Sequence, residues 1–271
     1  MSAVLDIEKL TVRAGETVLV SGLDLTIGEN ARVGLIGESG SGKSLTALAV
    51  IGLLPPGLSA EGSVVLNGTQ VIGARDGDLV LQRGRTVATV FQEPLTALDP
   101  LMKMGRQIAQ PVTRRRRRAG ETTARADVEA DVRRLLMRVA LPDPDRIANA
   151  YPFEVSGGQR QRVAIAMALA CQPKLLIADE PTTALDVTTQ AEVLDLLAGL
   201  VREEGMALLF IGHDLPVVAQ IVDDVTVMRR GEVVERGPVG QVLAEPEHDY
   251  TRTLVAAADA FDRALGDARW V

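Results

Sequence analysis

The sequence is short of the features that mark stapled, fibrous or membrane-embedded proteins. Its 271 residues include one cysteine, Cys171, so an internal disulfide or a multi-cysteine metal cluster is excluded, an iron–sulfur site among them. Aromatic residues make up only 3%, so any core must be assembled from valine, leucine, isoleucine and alanine. No apolar run approaches the roughly 18 residues that a spanning helix needs. The stretch from Met1 to Leu10 carries Asp6 and Glu8 where a secretion leader needs a basic start and an apolar middle. Basic residues are outnumbered, 29 against 36 acidic, giving a net charge of −7 and a sequence that disfavours nucleic acid as partner. The expectation is a soluble, intracellular protein.

What is present is ordinary globular material, 46% hydrophobic and 24% charged, enough for one large domain or one domain with an inserted subdomain. Short β-rich runs occur at Val18–Ile27, Ala31–Ile36, Ser63–Leu66, Thr86–Phe91, Leu175–Ala178, Ala207–Ile211, Asp224–Met228 and Glu232–Glu235. Helical stretches are predicted at Lys43–Leu53, Ser156–Ala170, Thr188–Glu203, Leu215–Val222 and Thr251–Ala264. This alternation predicts an α/β fold, richer in strand alternation early and in strand–helix units with a parallel sheet later. From about Leu95 to Tyr151 no strand is apparent, while Val128–Val139 reads as an amphipathic helix, so a helical insertion is expected there. It contains five consecutive arginines, Arg114 to Arg118. They read either as a patch for an anionic partner or, preferably, as a solvated helix face or loop offset by Glu121, Asp127, Glu129 and Asp131.

Four apolar runs end in chemically useful residues. Gly37-Glu38-Ser39-Gly40-Ser41-Gly42-Lys43-Ser44 fits the phosphate-loop pattern, preceded by an apolar strand and followed by a helix. Glycines let backbone N–H groups curl around phosphate oxygens, and the helix start adds a positive field. Lys43 would neutralise the β- and γ-phosphates of a nucleotide, and the Ser44 hydroxyl would ligate Mg²⁺. The run Leu175–Ala178 ends in Asp179 and Glu180, the first placed to hold Mg²⁺ and the second to polarise a water. Two further runs reach Gln92 and His213. Ligands collect at the carboxyl ends of parallel strands, so Lys43, Gln92, Asp179, Glu180 and His213 are expected along one rim. His213 could also be a plain structural histidine, and Gln92 a turn residue. Ser156-Gly157-Gly158-Gln159 opens a helix and could take an anion or simply cap it.

Taken in order, the phosphate loop, Gln92, the Ser156–Gln159 element, the Asp179-Glu180 pair and His213 resemble the nucleotide-binding subunit of an ATP-binding-cassette (ABC) transporter. The resemblance covers almost the whole chain. Phe91–Pro100, Tyr151–Glu154, Ala178–Val187 and the tail His248-Asp249-Tyr250-Thr251-Arg252 narrow it to the importers of peptides and nickel. It implies a P-loop NTPase fold with a mixed sheet, an N-terminal antiparallel β part and an inserted helical subdomain. The ATP-binding core would take residues 1–94 and 152–271, and the insertion 95–151.

The resemblance also implies an ATPase that works as a head-to-tail dimer, of two copies or with a sister ATPase. ATP would lie between Gly37–Ser44 of one subunit and Ser156–Gln159 of the other. Glu180 would be the catalytic base, His213 and Gln92 would attend the γ-phosphate, and Gln92 would link to the permease through the insertion. Ser44, Gln92 and Asp179 would serve Mg²⁺, and Asp186 would sit in a loop crossing the interface. Two membrane permease subunits, an extracytoplasmic solute-binding protein acting indirectly, and a place at the cytoplasmic face of the membrane complete the implied assembly, with no nucleic acid. The competing readings are a soluble ABC-type ATPase acting on DNA or ribosomes, and a P-loop kinase. The chain departs from the family where an aromatic usually stacks adenine: Val12, Arg13 and Ala14 stand there, so either the Arg13 guanidinium stacks on the base instead or the base is held loosely. Val155 replaces the usual leucine.

Overall fold

The computed structural model describes residues 3–183 and 185–265; Ala184, part of the Ala178–Val187 run, lies outside them. In chain order the strands are β1 (Ala3–Ala14), β2 (Thr17–Gly28), β3 (Arg32–Gly37), β4 (Leu58–Leu66), β5 (Thr69–Gln70), β6 (Val87–Val90), β7 (Leu175–Asp179), β8 (Ala207–Gly212), β9 (Asp224–Arg229) and β10 (Glu232–Pro238). The helices are α1 (Lys43–Val50), α2 (Asp76–Leu79), α3 (Pro94–Ala97), α4 (Met104–Arg118), α5 (Arg125–Arg138), α6 (Pro144–Asn149), α7 (Gly157–Leu169), α8 (Val187–Glu204), α9 (Leu215–Ala219), α10 (Val239–Ala244) and α11 (Asp249–Leu265). Residues 3–79 and 207–265 form one compact unit, and residues 80–206 a second.

In the first unit, β1 pairs antiparallel with both β2 and β4, and β5 adds to β4. A second sheet centres on β3, which runs parallel to β8 and β9, with β10 returning antiparallel along β9. Every residue of β8 is buried and Phe210 is its largest side chain; around it the core is Val, Leu and Ile, as the scarcity of aromatics requires.

Strand β1 is the one long strand that alternation fails to reveal. Lys9 adopts a left-handed backbone (φ 48°), and the register slips between Ile7 and Leu10 against β2 and between Glu8 and Thr11 against β4. That bulge puts Glu8 and Lys9 in succession on the exposed side and restarts the inward pattern at Leu10. Lys9 N–H donates to Asp24 Oδ1 at 2.7 Å, which fixes the kink from the side-chain side.

In the second unit, β6 and β7 pair in parallel, with Val90 opposite Ala178. The predicted helical insertion contains α4, α5 and α6. The arginine run lies in the last turns of α4, which passes through Pro111. A solvated face offset by nearby acids describes only part of it. Arg114, Arg117 and Arg118 are exposed, but Arg115 and Arg116 turn inward onto the Asp131 carboxylate at 2.8 and 2.6 Å. Asp131 is 6% exposed, and Arg134 of its own helix also closes on it. Glu121 pairs with Arg115 and Arg116, whereas Glu129 is taken by Arg125. A buried carboxylate gathering three guanidiniums ties α4 to α5. Asp131→Ala is therefore expected to cost about 3 kcal/mol by leaving half-buried cations uncompensated, read as a lower urea midpoint with an unchanged slope.

Candidate nucleotide site

The phosphate loop leaves β3 at Gly37 and enters α1 at Lys43. Glycine is obligatory at two of its positions. A Cβ on Gly37 would stand 2.2 Å from the Met228 carbonyl oxygen, and Gly42 caps α1 with φ 101° and Val20 pressed against it. Glu38, Ser39 and Gly40 form an exposed crest, while Ser41 and Lys43 are buried behind it. Lys43, 4% exposed, donates from Nζ to the carbonyls of Gly37 at 2.7 Å and Glu38 at 2.9 Å. The ammonium thus bridges the loop from within. Ser44 is exposed in the first helical turn, and no acidic side chain occupies that turn, so the N-terminal field of α1 stays positive.

His213 follows β8 directly. Ile36 lies opposite Gly212 in the parallel ladder, so the phosphate loop and His213 leave neighbouring strands at the same level. His213 is exposed, and Asp214 next to it caps α9 by accepting the Val217 N–H at 3.3 Å.

The second unit repeats the arrangement. Gln92 and Glu180 lie two residues beyond the paired Val90 and Ala178, and their side chains meet: Gln92 Nε2 donates to Glu180 Oε2 at 3.4 Å. Thr183 Oγ1 donates to the same oxygen at 3.0 Å. Glu180 holds φ at 46°, a left-handed conformation uncommon for a carboxylate residue and typical of functional sites. Asp179, the last residue of β7, is 9% exposed. Thr183 was not among the residues that sequence reasoning singled out; only its place three residues after Glu180 hints at it.

The Ser156–Gln159 element is a reciprocal cap. Ser156 Oγ accepts the Gln159 N–H at 3.3 Å, and Gln159 Oε1 accepts the Ser156 N–H at 3.2 Å. Both interactions run within the element, yet its glycines serve something beyond capping. A Cβ on Gly158 would lie 2.5 Å from Thr189 Cγ2, so glycine lets the start of α7 approach the start of α8. Asp186 caps α8 by accepting the Thr189 N–H at 3.0 Å, and that hydrogen bond holds its carboxyl below the usual range. Two helix N-termini therefore sit side by side in this unit, one presenting Ser156–Gln159 and the other Asp186. Of the three residues where an adenine platform was sought, Val12 is buried in β1, while Arg13 and Ala14 are half-exposed.

The family profile for ABC transporters matches residues 20–183, from β2 through the Asp179-Glu180 pair and Thr183. The chain belongs to the ABC transporter family. Over 276 aligned residues this ABC protein is 45% identical to a Brucella ovis protein provisionally named a peptide import ATP-binding protein, covering 98% of this chain and 79% of that one. It is 41% identical to the oligopeptide transport ATP-binding protein OppD of Bacillus subtilis over 245 residues, 90% of this chain and 67% of that one. Among solved structures, a dimeric ATP-binding cassette in a post-hydrolysis state with ADP and Pi superposes with a TM-score of 0.76, 28% identity, and coverage of 87% of this chain and 98% of that one. The α/β cassette fold, ATP binding, and ATP hydrolysis coupled to transport follow from this membership. Among the described residues no helix is long and apolar enough to cross a membrane.

Proposed function

We propose that this subunit hydrolyses ATP to drive import of peptides, nickel or a related small solute, docked on two permease subunits at the cytoplasmic face of the membrane. An extracytoplasmic solute-binding protein supplies the cargo indirectly. The carrying observation is the Glu180 carboxylate, held by Gln92 and Thr183 at the end of a buried strand and beside Asp179. The names of the relatives favour peptides as cargo, and neither relative is named for DNA or ribosomes.

In this reading the backbone N–H groups of Gly37–Ser44 receive the β- and γ-phosphates, and Lys43 turns from the Gly37 and Glu38 carbonyls to phosphate oxygens. Glu180 accepts a proton from the attacking water, with Gln92 and Thr183 fixing the carboxylate's aim. His213 donates toward the γ-phosphate. Ser44, Gln92 and Asp179 offer a hydroxyl, an amide oxygen and a carboxylate, a hard oxygen set that fits Mg²⁺. Bound there, Mg²⁺ would supply neutralisation of charge building on the phosphate oxygens. The second subunit, an identical copy or a sister ATPase, brings its own Ser156–Gln159 across to the nucleotide, with Asp186 at the interface, and Arg13 lies against the base. Domain roles follow the sequence reading, with 1–94 and 152–271 as catalytic core and 95–151 as the segment that addresses the permease.

Detergent extraction followed by affinity purification of the tagged subunit is expected to bring down two multi-span membrane proteins. Reconstituted in vesicles with the binding protein, the complex is expected to take up labelled peptide only with ATP. Recovery of ribosomes, or ATP-independent uptake, would overturn the reading.

A further inference from the structure

The tail motif His248–Arg252 has no part in the chemistry above, yet it is built onto the back of the phosphate loop. Glu235 of β10 accepts the backbone N–H groups of Glu247 and His248 at 2.9 and 3.0 Å. The Tyr250 N–H donates to His248 Nδ1 at 3.1 Å, and Arg252 bonds the carbonyls of Pro246 and Glu247. This pinned turn delivers Tyr250 inward, leaving it 8% exposed.

Tyr250 meets there the end of the β9–β10 hairpin, the element that backs the loop. The Arg229 guanidinium lies over its ring at 5.0 Å. The hairpin turn, Arg230 and Gly231 with φ 50° and 85°, donates the Gly231 N–H to the Ser41 carbonyl at 3.2 Å. Met228, one residue before Arg229, fills the space that a side chain on Gly37 would need.

Buried polar atoms without an ordinary hydrogen bond are few among the described residues, and Ser41 Oγ, Arg229 Nε and the Tyr250 hydroxyl are three of them. Burial above all pushes the Tyr250 phenol's pKa up, with the Glu38 charge adding to it.

We propose that Tyr250 is a positioning residue for nucleotide binding: its ring, clamped by Arg229, steadies the β9–β10 turn whose Gly231 N–H holds the Ser41 carbonyl, and so keeps the Gly37–Ser41 backbone in the curl that receives phosphate. The tail turn is the bracket that supplies it. This rests on Gly37–Ser44 being the nucleotide site.

The test measures ATP and ADP affinity by titration calorimetry on the 271-residue chain, together with the kinetic constants for hydrolysis. Tyr250→Leu keeps an apolar filler and removes the aromatic face over which Arg229 lies; it is expected to weaken both nucleotides about three- to tenfold and to raise KM for ATP in step, with kcat falling less than about twofold. Arg229→Gln is expected to do the same, and the double variant to lose less than the product of the two, because both act through one clamp. Nucleotide affinity within about twofold of wild type in Tyr250→Leu, or losses in KM and kcat of equal size, would overturn the proposal. Lys43→Ala, run in parallel, separates the two readings. If it abolishes binding while Tyr250→Leu binds normally, the clamp alone falls. If it binds ATP like wild type, the nucleotide site itself falls.

Discussion

Glu180→Gln is expected to bind ATP and fail to turn it over. The amide is isosteric and its oxygen still accepts from Gln92 and Thr183, so the geometry at the end of β7 persists. What disappears is the basic oxygen that takes a proton from water, and with it about 10²- to 10⁴-fold in rate. Phosphate release measures the loss, and nucleotide titration checks that binding survives. Because the bound triphosphate is then never cleaved, the dimer is expected to accumulate and to elute early in size-exclusion chromatography with ATP present. Near-normal phosphate release would remove Glu180 from the role of base.

The second large effect is expected to appear in the wrong subunit. Ser156→Arg, placed in one half of a mixed dimer, is expected to damage hydrolysis at the phosphate loop of the other half by about a hundredfold, as loss of phosphate-facing donors does in enzymes generally. Vanadate trapping of labelled nucleotide, read separately on two subunits of different tag size, locates the loss. Ser156→Gly provides the control for local folding, because glycine costs a helix cap only a few tenths of a kcal/mol. Equal labelling of both subunits in the Ser156→Arg mixed dimer would rule out a shared site.

The residues that announced themselves in sequence did so because their chemistry is local. Gly37–Ser44 is a single turn whose backbone demands, at Gly37 and Gly42, are met by the glycines themselves. Gln92 and Glu180 could be placed together because each ends a short apolar run, and the parallel pairing of β6 and β7 aligns those ends. What stayed hidden depends on contacts distant in sequence or on broken periodicity. Lys9 interrupts the alternation of β1 with a bulge, so a twelve-residue strand reads as a mixture of acids and apolar residues. Helix α4 carries Pro111 and a run of arginines, each a poor advertisement for a packed helix, and its inward face becomes intelligible only once Asp131 is found beneath it. Thr183 and Tyr250 are ordinary residues until partners far away, or across a turn, give them work. Family resemblance flagged the tail motif without supplying a reason for it, and the reason lies in packing.

The two carbonyls that hold Lys43 carry a consequence for the catalytic cycle. A cation that waits in solvent must shed water before it can grip an anion, whereas this one only trades one set of oxygens for another. If Lys43 receives phosphate as proposed, nucleotide arrival and departure become the two directions of a swap between oxygen partners of similar kind. In that scheme the Gly37 and Glu38 carbonyls compete with the departing product for the same ammonium.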